Sequence, residues 1–380
     1  MAHRIAILGG GVGGTLLANL LRKSLSRADA QITIIDTTGR HVYQPGWLYV
    51  PFGEENPRHL IKPERRLLRA GISLRTGGAQ SIDLAARTIR LAGGDLLPFD
   101  TLVLATGAVL APEAVPGFAE GAHHFYSEEA ALRLKAALES FQGGKLVIGV
   151  ADIPYKCPPA VLEFVLKVED FLTKRGVRDK TQITYLSPIN RAFTIESVSE
   201  FIAPILERRG IALELFFNTE SIDPEKKLIS SMEGETIGYD LLVLVPPHRG
   251  APVIRDSGLG DELGWIPTDR HTLEVTGHEG IYALGDATDV PVSKSGSAAH
   301  FEAKVLARRI AHHVNPAKHA AYPCYDGKVL CFLETGHGEA SQIVFDFEHP
   351  PKPPAPNRFY HYEKLLFNKI YWYVVPRGIV

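Results

Sequence analysis

Ile5-Ala6-Ile7-Leu8-Gly9-Gly10-Gly11-Val12-Gly13-Gly14 is the stretch on which the fold turns. Four apolar residues run straight into a glycine frame, with Gly9, Gly11 and Gly14 at G-x-G-x-x-G spacing. Residues 3–8 read as a strand and 13–25 as a helix, with Leu16, Leu17, Leu20 and Leu21 on one stripe. Gln31-Ile32-Thr33-Ile34-Ile35-Asp36 reads as a second strand ending in an acid. Gly9 permits the tight turn, Gly11 lets the backbone approach a pyrophosphate, and Gly14 lets helix and strand pack closely. The helix N-terminus then faces the phosphate. Asp36, 22 positions after Gly14, is placed to accept a ribose hydroxyl. A glycine-rich turn with no ligand would need neither the flanking strand and helix nor the terminal acid.

The motif by itself does not separate FAD from NAD. Two later segments favour FAD. Phe99-Asp100-Thr101-Leu102-Val103-Leu104-Ala105-Thr106-Gly107 is a buried strand running into Ala-Thr-Gly, with Thr106 and Gly107 at its end. Gly280-Ile281-Tyr282-Ala283-Leu284-Gly285-Asp286-Ala287 is a strand followed by Gly285 and Asp286, then a helix near 296–313. Asp286 could bind cofactor hydroxyls while the helix directs its positive end at the flavin; the plain alternative is a helix N-cap.

Between these segments a second α/β unit is expected, with strands at 145–150, 182–187 and 240–245. Its first strand leads into Ala151-Asp152-Ile153-Pro154-Tyr155-Lys156-Cys157-Pro158-Pro159 instead of a glycine loop. Its second strand ends Leu186-Ser187-Pro188, with no acid for a ribose. Both halves of a nicotinamide site are therefore missing, and a cysteine stands where a phosphate cradle belongs. The expected architecture is α/β, with two Rossmann-like dinucleotide-binding domains, one inserted in the other. Residues 1–117 and 276–320 form the FAD-binding domain and 118–275 the second domain. Residues 321–380 form a C-terminal region with strand-like stretches at 329–333 and 342–347, a proline-rich hinge at 350–356 and an aromatic tail.

Composition sets the bounds. With 380 residues, two or three domains fit. A net charge of -2 gives no sign of nucleic acid. Three cysteines, Cys157, Cys324 and Cys331, make no disulfide framework. The first strand begins too early for a secretory leader, and no apolar run reaches the roughly 18 residues of a membrane span.

Gly9–Gly14, Ala105-Thr106-Gly107, Tyr155-Lys156-Cys157-Pro158-Pro159, Gly285-Asp286 and Tyr325-Asp326-Gly327 with Cys331 together resemble the sulfide:quinone oxidoreductases. The flavin subunit of flavocytochrome c sulfide dehydrogenase is a relative of that family. The resemblance covers the whole chain, in order. It implies that Cys157 and Cys331, 174 positions apart, flank the flavin and pass sulfur between them. It leaves Cys324 structural or incidental. It implies that Lys294 stabilises reduced flavin and that Pro45, in Tyr43-Gln44-Pro45-Gly46-Trp47, lies against the isoalloxazine. Many bacterial members tether the flavin through a third cysteine. None precedes Cys157 here, so non-covalent FAD is expected.

The chemistry so implied starts with hydrosulfide attacking a sulfur-bridged cysteine pair. A persulfide is left, and the freed thiolate, Cys331, passes electrons to the flavin. Thiolates with lowered pKa are expected, with Lys156 as one cause against a solvated surface lysine. Glu163 is a proton carrier or a solvated helix face. His300 is a weaker quinone-side candidate, more simply read as core. The tail, Phe359 to Val375, places aromatics and lysines at helical spacing, as a membrane-interface helix would; the alternative is a helix packed on the chain itself. The expected partners are sulfide, a quinone and a membrane surface, at the cytoplasmic face of the cell membrane; a homo-oligomer is left open. The competing functions are a sulfide dehydrogenase serving a cytochrome or other protein, a type II NADH:quinone oxidoreductase, and a flavin-bearing sulfur sensor without turnover.

Overall fold

A computed structural model describes residues 2–320 and 324–379. The opening motif forms as its sequence dictates. Strand His3–Leu8 pairs in parallel with Ala30–Asp36, and the helix between them spans Val12–Ser24. Leu16, Leu17 and Leu21 are fully buried beneath it, while Leu20 is only partly covered. A five-stranded parallel sheet has the order Ile281–Ala283, Thr101–Leu104, His3–Leu8, Ala30–Asp36, Ile72–Thr76. The late strand enters beside the early ones, so the chain leaves this sheet and returns to it. The turns at Gly9, Gly107 and Gly285 therefore sit at the C-terminal ends of adjacent strands, where open α/β sheets bind ligands.

The intervening chain builds a four-stranded parallel sheet in the order Ile211–Glu214, Thr181–Leu186, Gly144–Val150, Leu241–Val245. A short antiparallel ribbon, Ala108–Leu110 against His248–Gly250, joins the two sheets. The strand Gly144–Val150 feeds the Cys157 loop and then the helix Pro158–Lys174. That helix is buried on nearly every side, including Glu163, Lys167, Glu169 and Asp170. A helix covered all round must lie at the centre of a molecule. The C-terminal hairpin, Val329–Gly336 with Glu339–Phe345, covers one flank of it.

The tail forms a helix, Arg358–Val374, whose N-cap Asn357 side chain accepts the Tyr360 N–H. Tyr371 and Trp372 are buried in the main core, whereas Phe359, Tyr362, Leu366 and Tyr373 are exposed. One face of the helix therefore packs on the chain, as the alternative reading of the tail has it, and the other carries exposed apolar side chains. No helix among the described residues is long and apolar enough to cross a membrane.

Candidate functional site: a dinucleotide cradle facing two cysteines

Steric facts show what the glycines are for. Gly9 has φ +113°, and a Cβ there would lie 2.1 Å from Ala105 O. A Cβ on Gly14 would lie 2.0 Å from Gly9 O. A Cβ on Gly11 would meet no atom of the described residues within 4 Å, so that face is open for a ligand. Asp36 first serves its own loop: Oδ2 accepts Gly10 N–H at 3.0 Å, and Oδ1 accepts Gly39 N–H at 2.6 Å. Next door, Thr106 Oγ1 is buried without a hydrogen-bond partner. Gly107 takes φ +65° and Gly285 φ +72°, both in the region that favours glycine. An open glycine face, a helix N-terminus and an orphaned hydroxyl on adjacent strands fit a dinucleotide such as FAD.

Lys294 ties this cradle to the cysteine loop. Its Nζ donates to Asp286 O at 3.0 Å and Thr288 O at 2.6 Å. Its own carbonyl accepts the Cys157 N–H at 2.6 Å. The lysine is buried. Burial pushes its pKa down and lifts that of the Asp286 carboxyl, against the mutual attraction of the pair. Pro45 is exposed, and its neighbour Gln44 accepts Lys156 Nζ at 3.1 Å. Lys156 is itself buried and turned to Gln44, which corrects the solvated reading. The Pro45 and Cys157 loops thus face each other.

Cys157 adopts φ +50° at the entrance to the helix Pro158–Lys174. A non-glycine residue held there is a sign of local strain. Pro158 and Pro159 fix the first turn that follows, where missing N–H donors do no harm. Cys331, on the hairpin, is close enough for its charge to bear on Cys157. Here the expectation of lowered pKa is reversed. Burial raises the Cys157 thiol far above the ordinary range, with Cys331 and Glu163 adding to it. Burial also pushes Cys331 up to about 12, opposed by a hydrogen bond with Ser295. Lys156 does not overcome this: burial drives its own ammonium toward the neutral form, against the pull of Asp286 and Cys157. Cys324 is exposed and free.

Glu163 is buried, not a solvated helix residue. Its Oε1 accepts the Glu334 N–H at 2.7 Å and an ion pair from Lys364 Nζ of the tail helix. Burial lifts the Glu163 carboxyl, with Lys364 opposing. Burial alone would discharge Lys364; Glu163, Tyr49 and Glu334 overcome it and hold the ammonium well above its usual value. Glu334 also pairs with His361 Nδ1 at 3.0 Å. Both cysteines feel Glu163 and Lys364. Lys364, Glu334 and His361 escaped sequence reading, because a lysine among tail aromatics has the pattern of a surface helix. His300 lies edge-on to Phe301, and burial lowers its pKa to about 4.

An open cavity of about 770 Å³ reaches Cys331, with Tyr155, Pro158, Pro159, Phe193 and Phe345 on its mostly apolar walls.

Comparison with known proteins agrees with the resemblance carried by the motifs. The mitochondrial sulfide:quinone oxidoreductase of Mus musculus is 24% identical over 368 residues, spanning 93% of this chain and 80% of the relative. The sulfide-quinone reductase of Aquifex aeolicus is 24% identical over 407 residues, spanning 100% and 92%. The X-ray structure of the Aquifex aeolicus sulfide:quinone oxidoreductase superposes with a TM-score of 0.88 at 22% identity, covering 99% of this chain and 92% of that one. The expected α/β fold is thereby met. Residues 3–319 match the model of the pyridine nucleotide-disulphide oxidoreductases, and the chain belongs to that family.

Proposed function

We propose that this chain oxidises sulfide at Cys157 and Cys331, using non-covalent FAD, and passes the electrons to a membrane quinone. The observation that carries this reading is the second α/β unit. Where its fold has a nucleotide loop it has a strained cysteine, and the influence of Cys331 on that thiol supports a second sulfur beside it. The whole-length likeness to sulfide:quinone oxidoreductases supports it.

When bound, FAD supplies the two-electron store between sulfur and quinone. The chain supplies the rest. Gly9, Gly11, Gly14 and Asp36 would hold the adenosine half, and Thr106, Gly107, Gly285 and Asp286 would line the turns beside it. Hydrosulfide enters through the apolar cavity and attacks the bridged pair; one S–S bond forms, one breaks, and a persulfide and a thiolate result. Transfer of two electrons and release of the persulfide proton re-form a bridge one sulfur longer, from which later attack releases the chain. The Glu163–Lys364 pair, next to both sulfurs, is placed to hold that proton.

The tail's exposed face, with Phe359, Tyr362, Leu366 and Tyr373 outward, fits a membrane interface. That favours a lipid-borne quinone over a soluble cytochrome. Sulfide-dependent reduction of a short-chain ubiquinone analogue by the purified FAD-loaded chain tests the assignment. Turnover with sulfide and none with NADH is expected. Turnover with NADH alone would make it an NADH:quinone oxidoreductase instead.

A further inference from the structure

The turn Gly285–Asp286 rests on a buried carboxyl group that the chemistry above does not use. Glu302 lies in the second turn of the helix Gly296–Val314, and its side chain is 0% exposed. Its Oε2 accepts the Gly285 N–H at 2.5 Å. Its Oε1 is buried with no hydrogen-bond partner. Among the described residues three ionisable groups face it: Asp286 on the turn, Lys294 from the loop before the helix, and Tyr325 from the approach to the Cys331 strand. None is its ion-pair partner. Lys294 spends its ammonium on Asp286 O and Thr288 O and sits 3.9 Å over the Trp265 ring. Tyr325 donates its hydroxyl to Lys328 O at 3.0 Å.

A buried carboxylate with one amide donor and one bare oxygen is poorly compensated. Burial favours the neutral acid, and Asp286 pushes the same way; the Gly285 N–H and Lys294 favour the anion. The balance falls at about 7. Such a group answers to any new charge nearby. Two-electron reduction leaves a flavin negatively charged at N1 unless a proton follows, and charge near that atom tunes the ring.

We propose that Glu302 takes up a proton from solvent when a flavin held by the Gly285–Asp286 turn is reduced, and releases it when the electrons leave. It is a positioning residue, acting through the turn and not by contact with the reacting atoms. This rests on the FAD reading but not on sulfide as donor. The electrons go to the flavin and the proton to Glu302 Oε1, so the coupling is one proton per two electrons.

The test is the flavin midpoint potential from pH 5 to pH 9, by dye-equilibrated dithionite titration of the FAD-loaded chain and of Glu302→Gln. Glutamine still accepts the Gly285 N–H through its amide oxygen but cannot take a proton. The two curves should coincide on the acid side, where Glu302 is neutral in both redox states. They should part above neutrality, the wild type falling more steeply with pH. Curves offset by a constant amount would reduce Glu302 to a structural support, and superimposed curves would remove it from the redox step; either overturns the proposal. If the variant does not fold, the wild-type reduced-minus-oxidised infrared difference spectrum at pH 8 decides: a gained carboxylic-acid carbonyl band supports the proposal and its absence overturns it. Failure of the FAD reading would look different, as no flavin spectrum at all.

Discussion

Gly14 is held by contact, not by conformation. A methyl group there would press to 2.0 Å from Gly9 O, a backbone atom that cannot swing aside. Overpacking of this kind costs roughly 1–3 kcal/mol, and each 1.4 kcal/mol is about tenfold in binding. Gly14→Ala should therefore weaken flavin retention by about tenfold or more, read by fluorescence titration of the apoprotein. The thiols give a second residue-level outcome. Cys157 and Cys331 are only partly covered, but their native pKa values lie above the ordinary thiol value. An acid raised in this way keeps its proton until pH passes the folded value, so at pH 8 both are neutral thiols when reduced. Iodoacetamide should therefore label exposed Cys324 first, as read by peptide mass spectrometry; faster labelling of Cys157 or Cys331 would refute the raised pKa values. Removing one partner from the Glu163–Lys364 pair strands a buried charge. Lys364→Met should cost about 3–5 kcal/mol in denaturant unfolding, and the double variant with Glu163→Gln clearly less.

Among the elements, the tail helix is bound to the cofactor half by hydrogen bonds that its aromatic sequence does not announce. His41 Nε2 bonds Tyr371 OH at 2.8 Å, and His41 Nδ1 meets Glu64 at 3.0 Å. Thr15, in the glycine-loop helix, donates to Glu64 at 2.6 Å. Asn19 reaches Pro376 O at 2.6 Å. One face is thus committed to the chain, and only the other is free for a membrane. Burying a large apolar side chain is worth roughly 1.5–3 kcal/mol. Phe359→Asp, Leu366→Asp and Tyr373→Asp together should abolish co-flotation with lipid vesicles while flavin reduction by sulfide in solution persists. Unchanged flotation would remove the tail from the membrane contact.

At the scale of the whole molecule, local patterns were legible and long-range meetings were not. The strand–Gly9–helix–Asp36 order needs only neighbours in sequence, and its strands and helix fall within a residue or two of expectation. The missing nucleotide loop after Val150 was equally plain. The protonation of Cys157 goes against the sequence expectation because its cause is long-range: the fold buries the thiol and sets Cys331 and Glu163 to act on it. Glu163 reads as a surface residue until the hairpin at Glu334 and the tail at Lys364 close over it. Partners 171 and 201 positions away leave no periodic trace.

The central claim is that electrons enter from sulfide through the cysteine pair and not from a nicotinamide. Anaerobic stopped-flow absorbance of the FAD-loaded chain, mixed separately with sulfide and with NADH, tests it most directly. Rapid flavin bleaching by sulfide alone is expected, with loss of that phase in Cys157→Ser and in Cys331→Ser. Bleaching by NADH but not by sulfide, or sulfide bleaching untouched by either substitution, would contradict it.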